Sequence, residues 1–230
     1  MFRRQCLSLP RSAARALTRG VHALLIAHGE APSTALLRIL AGVADLVVAA
    51  DGGVSHALAA GIKVDAVVGD LDSLTAEQRS LLGPGVVEWV QDADTTDLQK
   101  AIAYAIARGA VTIDIVATGG GRVDHALANL SVLLLSRGKA RLRIIDDQFE
   151  VSLVEGVAVI EGEPGTVVSL VAIGQAEGVT TTGMRWDLDD YPLAFSPYGI
   201  HNELRTSPAR VTVRRGDVLL FRGRWVEKHR

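Results

Sequence analysis

The sequence predicts an α/β protein. A parallel-sheet α/β domain with Rossmann-like layering comes first, and a smaller all-β sandwich domain follows. From residue 21 to about residue 146, strand-like segments alternate with helix-like ones, which is typical of parallel strands joined by right-handed crossovers. After residue 148, short runs rich in β-branched residues alternate with Gly and Pro turns, and no convincing helix is found. We therefore expect a basic extension over residues 1–20, an α/β domain over 21–148 and a β-sandwich domain over 149–230.

In the first domain the pattern predicts six strands and five helices. The strands are 22–27, 45–50, 65–68, 86–90, 111–116 and 141–145. The helices are 33–42, 53–60, 75–82, 96–108 and 123–137. Helix 96–108 has the clearest ends, because Thr95 or Thr96 can cap its start and Arg108-Gly109 ends it.

The second domain is predicted from strand-like runs and the turns between them. The runs are 157–160, 167–173 and 211–213. The tripeptides Glu163-Pro164-Gly165 and Arg215-Gly216-Asp217 are predicted as turns, because Gly and Pro interrupt strands.

Bulk composition excludes several classes of partner. The formal net charge of −2 gives no general attraction for nucleic acid. No apolar run is long enough to span a bilayer, so no membrane partner is expected. The single cysteine, Cys6, cannot form an internal disulfide, which favours a reducing compartment and a cytoplasmic location. Residues 1–20 contain five arginines and no acid, so mitochondrial targeting is the alternative location.

An acidic motif follows strand 65–68. Asp70 and Asp72 lie two residues apart, and like charges at this spacing require solvation or a cation. A hard ion such as Mg²⁺ takes oxygen ligands, and the carboxyl ends of strands are where open α/β sheets bind ligands. The motif therefore indicates a metal and phosphate site. A polar turn with Asp72 or Ser73 as a helix cap is the alternative.

Three further polar clusters follow predicted strands or open a helix, so they are expected at the same edge of the sheet. Asp51-Gly52-Gly53 has glycines that let the backbone approach a ligand, although a tight turn would also need them. Asp97 is the expected third metal ligand, and Asp94 either binds metal or caps the helix. Lys100 either contacts phosphate or is a solvated helix lysine.

The third of these clusters is Gly119 to Arg122, which opens helix 123–137. Consecutive glycine amides, Gly120 and Gly121 among them, can form an anion-binding nest, and Arg122 can bind phosphate through two parallel hydrogen bonds. The pattern is neither a Walker A motif nor a dinucleotide fingerprint. Asp124 and His125 follow in the first turn of the helix.

Taken in order, these motifs resemble those of the thiamine pyrophosphokinase (thiamine diphosphokinase) family, over roughly residues 21 to 222. The segments that match are A-D-G-G-V-S-H (50–56), V-D-A-V-V-G-D-L-D-S (64–73), D-T-T-D-L-Q-K-A (94–101), G-G-G-R-V-D-H-A-L-A-N (119–129) and, more loosely, G-V-T-T-T-G-M-R-W-D-L (178–188) and H-N-E (201–203).

The resemblance implies an enzyme that transfers a diphosphoryl group from ATP to the hydroxyl of thiamine, giving AMP and thiamine diphosphate. It implies Mg²⁺ as cofactor and a homodimer whose active site lies at the subunit interface. The metal ligands it supports are Asp70, Asp72 and Asp97. The catalytic residues we expect are Asp51, Asp72, Asp97, Arg122 and Asp124, with Asp72 or Asp97 as the base. The groups expected to bind ATP or its phosphates are Gly52, Gly53, Lys100, Gly120, Gly121 and Arg122.

The resemblance also implies that the β domain supplies the thiamine pocket. Trp186 is a candidate aromatic wall for the thiazolium ring, and an ordinary core tryptophan is the alternative. His201 and Asn202 are expected to contact thiamine. Family members usually have Ser-Asn there, so His201 is a departure that brings a larger group titrating near neutral pH.

Three other functions fit part of the pattern. A related Mg²⁺-dependent diphosphotransferase acting on another alcohol, such as a hydroxymethylpterin, would have the same metal motifs and would differ within 178–203. A glycosyltransferase with a D-x-D motif would not release AMP. A non-catalytic nucleotide or thiamine sensor would not need the intact acidic motifs.

Overall fold

A computed structural model describes residues 20–83, 85–90, 92 and 94–226. The basic extension predicted for residues 1–20 therefore lies outside the described residues, apart from Gly20. The mitochondrial targeting alternative and Cys6 fall there too. Among the described helices, none is both long and apolar enough to cross a membrane.

Six parallel strands form the sheet of the α/β part, as predicted, in the spatial order β4-β3-β2-β1-β5-β6. The strands are β1 (Val21–Ile26), β2 (Leu46–Ala50), β3 (Ala66–Gly69), β4 (Val87–Trp89), β5 (Ala110–Val116) and β6 (Arg141–Ile145). The chain adds β2 to β4 on one side of β1 and then crosses to add β5 on the other side. The crevice between β1 and β5 is therefore the topological switch point, where open α/β sheets bind ligands.

Helices cover both faces of this sheet. They are α1 (Thr34–Val43), α2 (Val54–Ala59), α3 (Ala76–Leu81), α4 (Asp97–Ala107), α5 (Val123–Leu130) and α6 (Val132–Leu135). One face packs against α4 and α6, and the opposite face packs against α1 and α2. The predicted helix 123–137 is thus two helices that meet at Ser131, whose hydroxyl donates to the carbonyl of Ala128 at 2.6 Å and competes with the helical pattern.

Beyond residue 148 the chain is built of strands, as predicted, and the first of them extends the same sheet. They are β7 (Phe149–Leu153), β8 (Val157–Ile160), β9 (Thr166–Thr182), β10 (Tyr191–Ala194), β11 (Asn202–Glu203), β12 (Ala209–Thr212) and β13 (Arg215–Val226). Strand β7 pairs antiparallel with β6, and β13 then links β7 to β9. The parallel pattern therefore ends at β6. A third hydrophobic core lies within this strand-rich part.

The strand predictions for this part were incomplete. The tripeptide Arg215-Gly216-Asp217 is not a turn between strands, because β13 begins at Arg215 and its register with β9 shifts between Arg215 and Asp217. Gly216 has φ +93°, so it forms a bulge inside the strand. In contrast, Glu163-Pro164-Gly165 is a turn, closed by a 3.0 Å hydrogen bond from the amide of Thr166 to the carbonyl of Glu163.

Candidate active site

The carboxyl ends of four neighbouring strands bring the predicted clusters to one edge of the sheet. Asp51 follows β2, Asp70 follows β3 and the glycine turn 118–121 follows β5. Strand β1 lies between β2 and β5, so the segment 28–30 after β1 occupies the middle of this edge. This segment was not predicted as part of the site.

Three carboxylates meet at this edge. Each of Asp51, Asp70 and Asp97 offers one oxygen, and these oxygens all lie within 4.8 Å of one another. Two of the three follow strands, whereas Asp97 is the first residue of α4. Gly69 makes this approach possible, because a Cβ there would lie 2.9 Å from Cβ of Asp51 and 3.1 Å from Oδ1 of Asp97. The sequence predicted Asp70 and Asp97 as members of this group.

Asp51 is buried and has a backbone conformation that is rare for residues other than glycine. Its relative exposure is 5%, and its φ of +42° is in the left-handed region, which side chains adopt at a cost. Among the described residues, its Oδ1 atom is buried without a hydrogen-bond partner. A buried carboxylate oxygen without a partner is destabilising unless a cation or a ligand donor meets it.

These features fit a divalent cation. The donor set is entirely carboxylate oxygen, which is the chemistry that Mg²⁺ prefers, and one of its members, Asp51, has a buried oxygen without a hydrogen-bond partner among the described residues. Mutual repulsion of three carboxylates at this spacing would be relieved by a double positive charge. Asp51, Asp70 and Asp97 are therefore the residues that could hold Mg²⁺.

Asp72 was predicted as a metal ligand together with Asp70 and Asp97, but it is not a member of this three-carboxylate group, whose remaining member is Asp51. The prediction relied on the spacing of two residues between Asp70 and Asp72 at the end of a strand. Strand β3 ends at Gly69 and Leu71 has φ +63°, so the chain turns between the two aspartates. Asp72 is exposed, and its Oδ1 accepts a 3.0 Å hydrogen bond from the hydroxyl of Ser73.

Helix α4 brings a buried cation to the group. Thr96 caps the helix and exchanges hydrogen bonds with Gln99, as a capping box does, and this fixes the first turn. Lys100, which is 8% exposed, then lies against Asp97, with Nζ 2.9 Å from Oδ1. This hydrogen bond raises the pKa of Lys100, and the charges of Asp97, Asp70 and Asp92 add to the effect. Lys100 is therefore a permanent positive charge at the site and not a solvated helix lysine.

The loop before α4 is held by Asp92, a residue that the sequence did not single out. Asp92 accepts the amide of Asp94 at 2.9 Å and the hydroxyl of Thr95 at 2.6 Å. The hydrogen bond from Thr95, and then the one from the amide of Asp94, lower the pKa of Asp92. Asp94 neither caps α4, since Thr96 is the cap, nor belongs to the three-carboxylate group.

The glycine turn after β5 has a backbone that glycine adopts more readily than other residues. Gly120 and Gly121 have φ of +77° and +60°, in the left-handed region. The side-chain amide of Asn129 donates a hydrogen bond to the carbonyl of Thr118 at 2.8 Å, and this anchors α5 to the turn. A Cβ on Gly120 would lie 2.6 Å from Cβ of Glu30, so the loop after β1 packs against the turn.

Arg122 and Asp124 pair with each other at the start of α5. The guanidinium donates to both carboxylate oxygens, and both side chains are largely exposed. Hydrogen bonding from Arg122 lowers the pKa of Asp124 to about 2, and the same bond raises the pKa of Arg122. Asp124 therefore remains charged at any pH above about 3, and the pair has little net charge.

The two glycines after Asp51 pack against the end of β1. A Cβ on Gly53 would lie 2.1 Å from the carbonyl oxygen of Ile26, and one on Gly52 would lie 2.3 Å from the ring of His28. Both positions are buried. The described structure thus shows a tight turn that needs glycine, which was the alternative considered for this motif.

The predicted thiamine-contacting residues lie together in the strand-rich part. The side-chain amide of Asn202 accepts from the backbone amide of Trp186 and donates to its carbonyl at 2.7 Å. Trp186 is 54% exposed, so it is not a core tryptophan. The guanidinium of Arg185 lies 4.8 Å from the centre of the indole ring. His201 is exposed, has φ +59°, and donates its amide to Ser169 Oγ at 2.9 Å.

Gly69→Ala is expected to lower activity strongly and also to lower folding stability, because the Cβ of buried Asp51 has little freedom to move away. The new methyl group would displace the carboxylate of Asp97 or the Cβ of Asp51, and either shift opens the three-carboxylate group. We expect kcat/KM to fall at least a hundredfold, equal to roughly 3 kcal/mol. Activity assays with a thermal melt check this, and Gly42→Ala is the control, since nothing lies within 4 Å of that position. Equal activity of the two variants would contradict the prediction.

The fold and the site define a class of protein. It is an α/β protein with three carboxylates fitted to a divalent metal at one edge of its sheet, and with a strand-rich part that extends the sheet. Residues 37–145 match the family model described as the catalytic domain of thiamin pyrophosphokinase. Residues 157–218 match the model of its vitamin B1 binding domain. The chain belongs to the thiamin pyrophosphokinase family.

Individual relatives agree with the family models. The chain is 32% identical to thiamine pyrophosphokinase 3 of Oryza sativa subsp. japonica, over 58% of this chain and 55% of the rice protein. It is 28% identical to thiamine pyrophosphokinase of Bacillus subtilis, over 77% of this chain and 86% of that protein. The chain thus matches only about half the length of the plant relatives.

Solved structures resemble the whole described fold. Thiamine pyrophosphokinase from Bacillus subtilis superposes with a TM-score of 0.78 at 26% identity, covering 88% of this chain and 98% of that one. Thiamin pyrophosphokinase from Candida albicans gives a TM-score of 0.77 at 15% identity, covering 90% of each chain, and this supports the fold alone.

Proposed function

We propose that this protein transfers a diphosphoryl group from ATP to the hydroxyl of thiamine, giving AMP and thiamine diphosphate. The observation that carries the proposal is the three-carboxylate group with its unpaired buried oxygen, in a chain that matches both domains of the family. Such a transfer requires alignment and neutralisation of phosphate charge more than it requires covalent catalysis. This sheet edge offers both.

The proposed ATP site combines the metal group with nearby positive and amide groups. Mg²⁺ held by Asp51, Asp70 and Asp97 would neutralise phosphate oxygens as charge moves to the leaving AMP. Lys100 keeps the carboxylates from carrying excess negative charge. Gly120, Gly121 and Arg122 are the proposed contacts for the rest of ATP, from the turn after β5.

The proposed reaction forms one bond to phosphorus and breaks another, and both bonds involve only ATP and thiamine. The hydroxyl oxygen of thiamine forms a bond to the β-phosphorus of ATP. The bond from that phosphorus to the α–β bridging oxygen breaks, and AMP leaves with this oxygen and its electron pair. The hydroxyl proton passes to a carboxylate. Asp97 already accepts from Lys100 and belongs to the metal group, whereas Asp72 lies outside that group, which favours Asp72 as the base.

The strand-rich part is the proposed thiamine site. Trp186 offers an exposed indole face to the cationic thiazolium, and Asn202 holds the backbone of this loop in place. His201 lies beside Asn202 with an exposed ring. The histidine in place of the family's serine changes a thiamine contact and does not touch the metal group.

We further propose a homodimer in which one subunit's strand-rich part completes the other's site. Large apolar side chains are exposed on the strand-rich part, and such patches mark interaction surfaces. Tyr191 and Tyr198 stack there with their ring centres 5.1 Å apart. The exposed members are Trp186, Tyr191, Phe195, Tyr198 and Ile200.

We also propose a cytoplasmic location. It rests on the single cysteine and on the lack of an apolar run long enough to span a bilayer.

The proposal is tested by separating the products formed from purified protein, ATP, Mg²⁺ and thiamine. We expect AMP and thiamine diphosphate in equal amounts, and neither product after EDTA is added. AMP formation only with a hydroxymethylpterin would support the related diphosphotransferase instead. Tight binding of ATP or thiamine without any turnover would support the sensor.

A further inference from the structure

His28 lies between the metal group and the glycine turn. It comes two residues after β1, and β1 separates β2, which leads to Asp51, from β5, which leads to the glycine turn. Neighbouring strands are about 4.8 Å apart, so roughly 10 Å separates the ends of β2 and β5. A polyphosphate that extends from the metal group towards the turn therefore crosses the end of β1, where His28 is exposed.

The orientation of the His28 ring is set by two neighbours. The ring rests on the α-carbon of Gly52, where a Cβ would come within 2.3 Å of two ring atoms. His56 packs beside it, with ring centres 6.2 Å apart and planes inclined at 57°. His56 is itself fixed, because its Nε2 lies 2.9 Å from the carbonyl oxygen of Gly29. The His28 ring is thus supported on one side and open on the other.

The hydrogen-bonding capacity of His28 is not used within the protein. Among the described residues, neither of its ring nitrogens takes part in a hydrogen bond, whereas the ring of His56 does. On one side lie the carboxylates of Asp51 and its group, and on the other Glu30 packs against Gly120. A phosphate oxygen between these acids needs a donor, and His28 is a donor placed between them.

We propose that an N–H of the His28 ring donates a hydrogen bond to the β- or γ-phosphate oxygens of ATP, and so helps to position the diphosphoryl group for transfer. This inference rests on the proposed function for the identity of the ligand. It adds a substrate contact outside all the motifs that identify the family in this sequence. Gly52 then has a second purpose, which is to leave room for the ring.

Binding measurements test the contact without turnover. Isothermal titration with Mg²⁺ and α,β-methylene-ATP, whose reactive bond cannot break, is compared with titration with AMP. His28→Ala is expected to lower the affinity for the ATP analogue about tenfold, as for loss of one hydrogen bond to a charged group. Its affinity for AMP should stay within about twofold of the wild-type value. His28→Gln keeps a donor and should recover part of the loss. Lys63→Ala, at an exposed position before β3 and thus at the opposite end of the sheet, should bind like wild type.

Several results would overturn the contact. They are analogue affinity within twofold of wild type in His28→Ala, an equal loss for AMP, or an equal loss in Lys63→Ala. Kinetics then separate this proposal from the function. Wild-type turnover of thiamine with an unchanged KM for ATP in His28→Ala would refute only the contact. Selective loss of analogue binding in His28→Ala, with no thiamine turnover by wild type, would refute only the function.

Discussion

Asp70→Asn is expected to lower kcat about a thousandfold, equal to roughly 4 kcal/mol, and to raise the Mg²⁺ concentration required for half-maximal activity. Asp70 is one of three carboxylates whose oxygens lie within 4.8 Å of one another, so the amide removes one negative ligand from that group. The two side chains have the same shape, and Asp70 is exposed, so the fold should not change. Titration of activity with Mg²⁺ measures both effects.

Asp72→Asn is the matched comparison, because it lies two residues away and outside the three-carboxylate group. Because Asp72 is the proposed base, its replacement should lower kcat at least a hundredfold, which is within the usual range for loss of a general base. Its Mg²⁺ requirement should stay as in wild type. If Asp72→Asn instead raises the Mg²⁺ requirement and Asp70→Asn does not, the assignment of the metal group is wrong.

Asp114→Ala is expected to give the largest loss of stability, about 3 kcal/mol in the free energy of unfolding. Asp114 is 1% exposed on the central strand β5. Arg143 donates to both of its oxygens at 2.8 Å, and His22 Nε2 lies 2.9 Å from Oδ2. Removing the carboxylate takes this acceptor away from both His22 and Arg143. We place the loss near the low end of the range for buried pairs, because Arg143 is partly exposed and retains Glu150.

Asp217→Ala provides the control for Asp114→Ala. Asp217 pairs with Arg137 near the surface, where ion pairs contribute about 1 kcal/mol or less. Urea unfolding of the two variants and wild type gives the comparison. A loss for Asp114→Ala no larger than that for Asp217→Ala would show that the buried network adds nothing to stability.

The α/β part could be predicted because its signals are local. Parallel strands buried on both faces are nearly continuous apolar runs, and β2 and β3 appear in the sequence as such runs. The other four strands follow from the alternation of strand-like and helix-like segments. Helix α4 begins directly after Thr96, because the side chains of Thr96 and Gln99 each accept a hydrogen bond from the other residue's backbone amide, and this signal lies within four residues.

The strand-rich part was harder to predict because its longest strands contain glycine. Strand β13 includes Gly216 at a bulge, and β9 includes Gly174 and Gly178, and all three glycines have positive φ. Strand β13 also contains Gly223. In sequence these positions suggest turns. They remain within strands because hydrogen bonding between β9, β13 and β7 is set by distant parts of the chain.

The site was predicted in its motifs but not in its inner arrangement. The sequence indicates Asp51, Asp70 and Asp97 as site residues, yet which oxygens meet depends on the turn at Leu71 and the close approach at Gly69. His28 has no motif of its own. Its position at the site follows only from the strand order, which places β1 between β2 and β5.

Transfer of an intact diphosphoryl group can be followed with ATP radiolabelled at its β-phosphorus. If the sheet edge works as proposed, this label passes into thiamine diphosphate, and label placed at the α-phosphorus stays in AMP. Label from the γ-phosphorus alone in a thiamine monophosphate, with the β-label left in ADP, would contradict the proposed attack at the β-phosphorus.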